Sequence, residues 1–187
     1  MIIADSTPYK IKINQIKDNI NLSQESVIVK RYPGHTADEI AFYAPKPLSD
    51  IKPEQVIVIA GTNSLTRSIH ENGNVDEFEV VNEILEIARA ARANGAKKIH
   101  VSSVLVRRGF AYRDVVEKVN EVLYMACLAE NFVFMDQGDI SLDHIDSDGI
   151  HPNFYGSTIL KFNILTAFRT FDRNRMTFLN DYEKALY

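Results

Sequence analysis

The sequence predicts an α/β fold of the flavodoxin-like kind, a three-layer sandwich with a five-stranded parallel sheet between helices. Five short apolar runs alternate with segments whose apolar residues recur at helical spacing. The run at 56–60 is continuous and largely β-branched, which is typical of a strand buried on both faces. Strands and helices that alternate in this way form parallel sheets with right-handed crossovers. Ligands bind outside the carboxyl ends of such strands, so a functional site is expected in the loops that follow them.

The first half of the chain contains three of the predicted strands. Residues 2–4 form a short strand, and Tyr9, Ile13, Ile16 and Ile20 repeat behind it at the spacing of a helix that faces the sheet. Further predicted segments are a strand at 27–29 with a turn ending at Gly34, a helix at 37–43, an irregular stretch around Pro45, Pro47 and Pro53, and the strand at 56–60.

The second half continues the alternation with longer helices. The predicted segments are a helix at 75–94 ended by Gly95, a strand at 99–105, a loop at 107–112, a helix at 115–129, a strand at 132–135, a loop at 136–152 and a helix at 155–171. We therefore predict one domain over residues 1–172. Residues 173–187 have an amphipathic pattern and are predicted to form a C-terminal helical tail.

Composition narrows the class of protein. With 45% hydrophobic and 25% charged residues, the 187-residue chain is typical of a soluble globular protein. Its net charge of −4 provides no basic field, so nucleic acid is not an expected partner of this domain. We see no transmembrane run and no signal peptide, which makes a cytoplasmic location the default. Cys127, the single cysteine, lies in an apolar helical stretch and is predicted to be a buried structural thiol.

Polar residues follow the strands at positions that a parallel sheet brings to one edge. Ser6 follows the first strand, Gly34 the second and Asn63 the third, while Asp148 and His151 lie in the loop after the fifth. Acyl transfer needs a serine, an imidazole that takes its proton, a carboxylate that orients the imidazole, and hydrogen-bond donors for the oxyanion. An aspartate three residues before a histidine can fold back onto it within one turn. These residues are therefore candidates for a serine esterase site.

Two other interpretations of the same residues remain open at this point. Taken alone, each position is also typical of a turn or a helix cap. In addition, the loop after the fifth strand groups four side chains of metal-ligand type, namely His144, Asp146, Asp148 and His151. A calcium loop of the EF-hand kind would require a later acidic ligand, and Tyr155 occupies that position. We therefore predict neither a metal site nor a cofactor.

The order of these residues along the chain is more specific than any one of them. The segments resemble the four signature blocks of the SGNH hydrolases, also called GDSL-type esterases and lipases: Ala4-Asp5-Ser6, Gly34, Gly61-Thr62-Asn63 and Asp148-Gly149-Ile150-His151-Pro152-Asn153. The resemblance covers residues 2 to about 170. It implies that Ser6 is the nucleophile, that Gly34 and Asn63 donate to the oxyanion, and that Asp148 and His151 complete the triad. The Gly-Thr-Asn-Ser form of the third block is also, more loosely, similar to esterase domains encoded by animal retrotransposons.

Two positions depart from the family pattern. Ala4 stands where the first block usually has glycine, and Ser64 where the third block often has aspartate. The first change adds only a methyl group, whereas the second removes a residue that usually supports the loop. These departures motivate an alternative interpretation, a catalytically inactive binding or assembly module that retains the fold.

The expected substrate is a small ester, an acetylated carbohydrate or a lipid. A short chain of this family leaves a shallow, open cleft, so short-chain, acetyl-type esters are the first expectation, with phospholipase-type action as the alternative. The loop at 107–113 mixes cations with aromatic residues. It either lines the cleft, which would favour an anionic or carbohydrate-bearing substrate, or is a solvated loop that shields the sheet edge.

Overall fold

The computed structural model describes residues 1–8, 11, 27–109, 112 and 114–172. Its five strands form one parallel sheet in the order β2-β1-β3-β4-β5. The strands are β1 (Ile2–Ala4), β2 (Val29–Arg31), β3 (Gln55–Ile59), β4 (Lys98–Ser102) and β5 (Val133–Met135). The helices of the described residues are α1 (Ala37–Tyr43), α2 (Pro45–Ile51), α3 (Thr62–Asn72), α4 (Glu77–Ala93), α5 (Val115–Ala129) and α6 (Phe154–Asp172), with a 3₁₀ turn at Leu142–His144.

Side chains that alternate along the strands build two apolar layers, one on each face of the sheet. On one face Ile3, Val56 and Val58 pack in a buried cluster with apolar residues of α1, α2, α4 and α5. On the other face Ile57 and Ile59 pack with apolar residues of α6. Because β1 and β3 are covered on both faces, their continuous apolar sequence is explained, as expected for a parallel sheet.

The structure confirms the predicted α/β three-layer fold with a five-stranded parallel sheet. The helix predicted at 115–129 has the same bounds in the structure. The second strand lies two residues later than predicted, because Ile2 pairs with Val29 rather than with Val27. The fourth strand ends at Ser102 instead of residue 105, since the chain then turns away and the Asn120 side chain binds both backbone groups of Val104.

The prediction of an irregular stretch around the three prolines is wrong. Pro45 and Pro47 lie in the first turn of α2, where a missing backbone N–H breaks no helical hydrogen bond. The helix ends at Lys52, which has a left-handed conformation with φ of 50°, and Pro53 follows the end. The prolines therefore mark both ends of a helix.

The sequence interpretation also missed α3, which begins directly after the third strand. Gly61 precedes this helix with φ of +114°, a conformation that side chains other than glycine rarely adopt. A Cβ at this position would lie 2.7 Å from Ile84 Cδ1 and 2.9 Å from Val104 Cγ2. Close packing of the loop on α4 thus requires glycine where the chain turns from β3 into α3.

The remaining predictions concern two helical segments, the cysteine and the membrane-spanning character of the helices. The helix predicted around Tyr9 to Ile20 falls largely outside the described residues, as does the tail at 173–187, so the division at residue 172 stays a prediction. Cys127 is fully buried, and burial raises the pKa of its thiol to about 12, which agrees with a structural role. No helix in the described part of the chain has the length and apolar character to span a bilayer.

We expect acid to destabilise the protein, because the neutral side chain of His100 in β4 is buried. Its side chain is 2% exposed, and its Nε2 has no hydrogen-bond partner. Burial, together with the charge of Lys98, lowers the pKa of His100 to about 4. The unfolded chain therefore binds a proton below pH about 6.5 that the folded protein excludes until pH about 4. The neutral ring contributes its full stabilisation above pH about 6.5. The free energy of unfolding then falls by about 3 kcal/mol as the pH drops from about 6.5 to about 4.

Urea unfolding at pH 7 and at pH 4.5 measures this effect. We expect His100→Gln to lose less unfolding free energy between the two pH values than the wild type, by about 2 to 3 kcal/mol. The matched control is His70→Gln, because His70 is an exposed histidine on α3. Equal losses in the wild type and His100→Gln would refute the prediction.

Candidate active site

Three predicted site residues from opposite ends of the sequence lie in one chain of hydrogen bonds. Ser6 follows β1, and Asp148 and His151 lie in the loop between β5 and α6. His151 Nε2 is 3.0 Å from Ser6 Oγ, and His151 Nδ1 is 2.8 Å from Asp148 Oδ2. The carboxylate can only accept, so the proton of a neutral imidazole is assigned to Nδ1 and Nε2 is left to accept from the serine hydroxyl.

The loop that carries Asp148 holds this carboxylate with backbone groups. Asp148 Oδ1 accepts hydrogen bonds from the amides of Ile150 and His151, both at 2.9 Å. Burial acts to raise the pKa of Asp148, but these amides and the His151 ring outweigh it and lower the pKa to about 2. The loop is fastened to the segment after β4, since the Arg108 amide donates to the Gly149 carbonyl at 2.9 Å. Asp148 is thus an oriented carboxylate that stays ionised at any ordinary pH.

The candidate oxyanion donors follow β1, β2 and β3, three neighbouring parallel strands, and therefore lie at the same edge of the sheet. The amides of Ser6 and Gly34 donate to no atom of the residues that the structure describes. Asn63 is the second residue of α3, and its Nδ2 donates to the His35 carbonyl at 2.9 Å. A side-chain amide has two N–H groups, so Asn63 retains one for a ligand while the other fixes its orientation.

Ser64 takes part in holding together the segments that carry Gly34 and Asn63. It is 1% exposed, and its Oγ accepts the Ala37 amide at 2.9 Å, which ties the start of α1 to α3. Arg67, one turn further along α3, donates to Asp38 at 2.9 Å and also forms an ion pair with Glu83 of α4. The loop therefore keeps a hydrogen-bond acceptor where the family often has aspartate, and charged groups around it add support.

The other departure, Ala4, is accommodated within the sheet. The residue is fully buried, pairs with Arg31 on one side and Ile59 on the other, and belongs to the apolar cluster that faces α6. The additional methyl group therefore lies within the buried cluster that faces α6.

The four side chains of metal-ligand type in this loop are His144, Asp146, Asp148 and His151. Among the described residues, no group of three or more histidine, cysteine, aspartate or glutamate side chains is placed to hold a metal ion. Asp148 and His151 bind each other, whereas His144 Nδ1 accepts the Ser141 amide at 3.0 Å. The side chain of Asp146 accepts the amide of Ser147 at 2.8 Å.

Sequence reasoning gave no separate role to two charged residues that the fold buries near this site. Asp5 is fully buried next to Ser6, and Arg107 is 6% exposed in the segment after β4. Asp5 belongs to the first resemblance block, and Arg107 belongs to the loop whose two interpretations were left open. The sequence does not identify these two residues, because a sequence pattern does not show which charged side chains of a loop are buried.

Comparison with known proteins identifies the class of fold. No protein-family model and no curated protein sequence matches the chain. A GDSL-like lipase from Bacteroides thetaiotaomicron superimposes with a TM-score of 0.72 at 17% identity, covering 90% of this chain and 86% of that one. An acetyl esterase mutant solved with an acetate ion superimposes with a TM-score of 0.73 at 17% identity, and the match covers 94% of this chain and 98% of that one. An acetylxylan esterase from Geobacillus stearothermophilus superimposes with a TM-score of 0.71 at 15% identity, and the match covers 89% of this chain and 91% of that one.

These similarities confirm the resemblance to SGNH and GDSL-type hydrolases at the level of the fold. The agreement extends over about nine tenths of the chain. At such low identity it describes the architecture, and the chemistry has to be argued from the residues of this chain.

Proposed function

We propose that this protein is a serine esterase that hydrolyses short-chain, acetyl-type carboxylic esters. The observation that carries the proposal is the continuous chain of hydrogen bonds from Ser6 through His151 to Asp148, with distances of 3.0 Å and 2.8 Å. Nucleophile, base and orienting carboxylate stand in the mutual geometry that acyl transfer requires. A catalytically inactive module would not need all three.

In the proposed mechanism Ser6 Oγ attacks the ester carbonyl carbon while its proton passes to His151 Nε2. Asp148 stabilises the resulting imidazolium and keeps Nδ1 protonated. The negative charge on the carbonyl oxygen is stabilised by the amides of Ser6 and Gly34 and by the free N–H of Asn63. His151 then gives its proton to the leaving alcohol. In the second half-reaction His151 takes a proton from water, the hydroxyl attacks the acyl-enzyme, and Ser6 regains its proton as the carboxylic acid leaves.

Two observations support short acyl chains as the substrate class. Two of the structurally similar proteins are an acetyl esterase and an acetylxylan esterase. In addition, Ala4 and Ile59, the last residues of β1 and β3, are buried in an apolar cluster with side chains of α6. A lipid esterase of the phospholipase type would need an apolar channel for a long acyl chain.

A series of 4-nitrophenyl esters from acetate to dodecanoate tests this proposal. We expect kcat/KM to be highest for acetate or propionate and to fall about tenfold or more by octanoate, because longer chains gain no buried contacts. A preference for long chains would replace the short-chain assignment with the lipid alternative. No turnover of any ester, together with no labelling of Ser6 by a fluorophosphonate, would instead favour the inactive module.

A further inference from the structure

Two neighbouring arginines, Arg107 and Arg108, lie between the two halves of the proposed site. They follow β4, which lies between β3 and β5 in the sheet. Asn63 follows β3, and Asp148 and His151 follow β5. Arg107 is 6% exposed, and among the described residues no carboxylate lies within 4.0 Å of its side chain. Burying a guanidinium is costly unless hydrogen bonds compensate, so its contacts at this place call for an explanation.

The side chain of Arg107 binds the first turn of α3. Its Nη1 donates to the Thr62 carbonyl at 2.7 Å and to the Thr66 hydroxyl, which itself donates to the same carbonyl at 3.0 Å. Its guanidinium carbon lies 4.5 Å from the centre of the Tyr112 ring. The Thr62 carbonyl belongs to the peptide group that joins Thr62 to Asn63. Because a peptide group is planar, a bond to its oxygen also sets the direction in which the chain enters Asn63.

The backbone of Arg108 binds a peptide group that holds the proposed catalytic carboxylate. The Arg108 amide donates to the Gly149 carbonyl at 2.9 Å. The N–H of the same peptide group is the Ile150 amide, which donates to Asp148 Oδ1 at 2.9 Å. The two segments approach closely, because a Cβ on Gly149 would lie 3.1 Å from Arg108 Cβ. Hydrogen bonds that share one peptide group polarise each other, so Arg108 acts on Asp148 through this group.

The side chain of Arg108 makes a second connection of the same kind to His151. Arg108 Nη2 donates to the Ile145 carbonyl at 3.1 Å. The N–H of that peptide group is the Asp146 amide, which donates to the His151 carbonyl at 2.8 Å. The loop is therefore attached to Arg108 at two peptide groups, and each of them binds one member of the Asp148–His151 pair.

We propose that Arg107 and Arg108 are positioning residues that set the place of Asn63 relative to the Asp148–His151 pair. The oxyanion donor has to meet the carbonyl oxygen of an ester while Ser6 Oγ attacks the carbonyl carbon of the same ester. The relative position of the two halves therefore controls the rate. Neither arginine needs to touch the substrate. This inference rests on the proposed esterase function.

The first test is the turnover of an acetyl ester by Arg107→Gln. Glutamine is too short to reach the first turn of α3 in the same way, so we expect kcat to fall about tenfold, with KM changed less than about twofold. Arg107→Lys should recover the larger part of the loss, because Nη1 alone makes the two hydrogen bonds and an ammonium group can donate both. Arg92→Gln is the matched control and should retain full kcat. Arg92 is an exposed arginine near the end of α4, at the opposite edge of the sheet.

The second test repeats the substitutions in a protein that carries Asn63→Ala. If Arg107 acts through Asn63, Arg107→Gln should cause little further loss of kcat in this background. Arg108→Gln, which acts on the other half of the site, should lower kcat by the same factor, about threefold or more, with and without Asn63. Multiplicative losses for Arg107 and Asn63 would overturn the role of Arg107. A loss for Arg108→Gln that disappears in the Asn63→Ala protein would overturn the division between the two arginines.

A further variant covers the case in which Arg107→Gln does not fold. Thr66→Val has nearly the same shape as the wild type and removes the hydroxyl that Arg107 binds. It should lower kcat in the wild-type background and cause little loss in the Asn63→Ala protein. An equal loss in both backgrounds would refute the action of Arg107 on Asn63.

Nuclear magnetic resonance tests the positioning without any turnover. The ¹H–¹⁵N signals of the Asn63 side-chain amide should shift in Arg107→Gln and stay in place in Arg108→Gln. The signal of the His151 Nδ1 proton should show the reverse. If both arginines only stabilise the fold, both variants lower the free energy of unfolding and leave these signals unchanged, and that result would overturn the proposal. Shifted signals in a protein that hydrolyses no ester would instead overturn the esterase function alone.

Discussion

We expect Ser6→Ala to lower kcat for a short-chain aryl ester by on the order of 10⁴-fold or more, because members of a catalytic triad act as a unit. The substitution removes only the Oγ that lies 3.0 Å from His151 Nε2. Since Ser6 lies outside the strand ladder, the fold should be retained, and urea unfolding should give a free energy close to that of the wild type. Steady-state kinetics and labelling by a fluorophosphonate both measure the effect.

Ser147→Ala is the matched control for this experiment. Ser147 is exposed in the same loop as His151, and its backbone amide, not its hydroxyl, makes its hydrogen bond to Asp146 among the described residues. Its replacement should leave turnover and labelling unchanged. Equal rates for the wild type and Ser6→Ala would remove Ser6 as the nucleophile, and with it the proposed mechanism.

Asp148→Asn is expected to lower kcat by roughly 10³ to 10⁴-fold while the loop keeps its conformation. The asparagine oxygen can still accept the amides of Ile150 and His151 that Asp148 Oδ1 accepts at 2.9 Å. The new amide group then faces His151 Nδ1 and donates to it, which stabilises the tautomer with the proton on Nε2. In that tautomer the ring cannot accept the proton of Ser6. Stopped-flow or steady-state turnover of the acetyl ester measures the loss.

The pH dependence of activity distinguishes the titration of Asp148 from that of the imidazole. The pKa of Asp148 is lowered to about 2, so its own titration lies far below the range in which an imidazole base controls activity. Wild-type activity should therefore rise with pH as the imidazole base loses its proton, at pH values well above the titration of Asp148. Asp143→Asn, an exposed aspartate of the same loop, should retain full activity. A rate that does not change between pH 5 and 8 would argue against His151 as the base.

The overall fold could be predicted because its signals are local. The apolar run at 56–60 and the alternation of strands with helices required no knowledge of tertiary contacts. The errors arose where the meaning of a residue depends on position within an element. Pro45 and Pro47 predict an irregular stretch when their position within an element is unknown, but a proline in the first turn is compatible with a helix. Similarly, the end of β4 depends on Asn120, a residue of α5 that binds the Val104 backbone.

The candidate site could be predicted only in part. Ser6, Asp148 and His151 were found because strand ends in a parallel sheet meet at one edge, and because the order of the motifs is specific. Asp5 and Arg107 were not distinguished, since a charged residue in a loop is exposed in most proteins. Their burial follows from packing between β1, α3 and the segment after β4, which no pattern of single residues encodes.

The Asp148–His151 pair is made within three residues of the chain, whereas its bond to Ser6 joins positions that are 145 residues apart. Two of the three reactive groups can thus be assembled by a single loop, and only the serine depends on the insertion of β1 between β2 and β3. The rate of ester turnover would then measure the stability of the pairing of β1 with its two neighbouring strands. Partial denaturation that releases β1, and with it its edge neighbour β2, should abolish activity before β3, β4 and β5 separate.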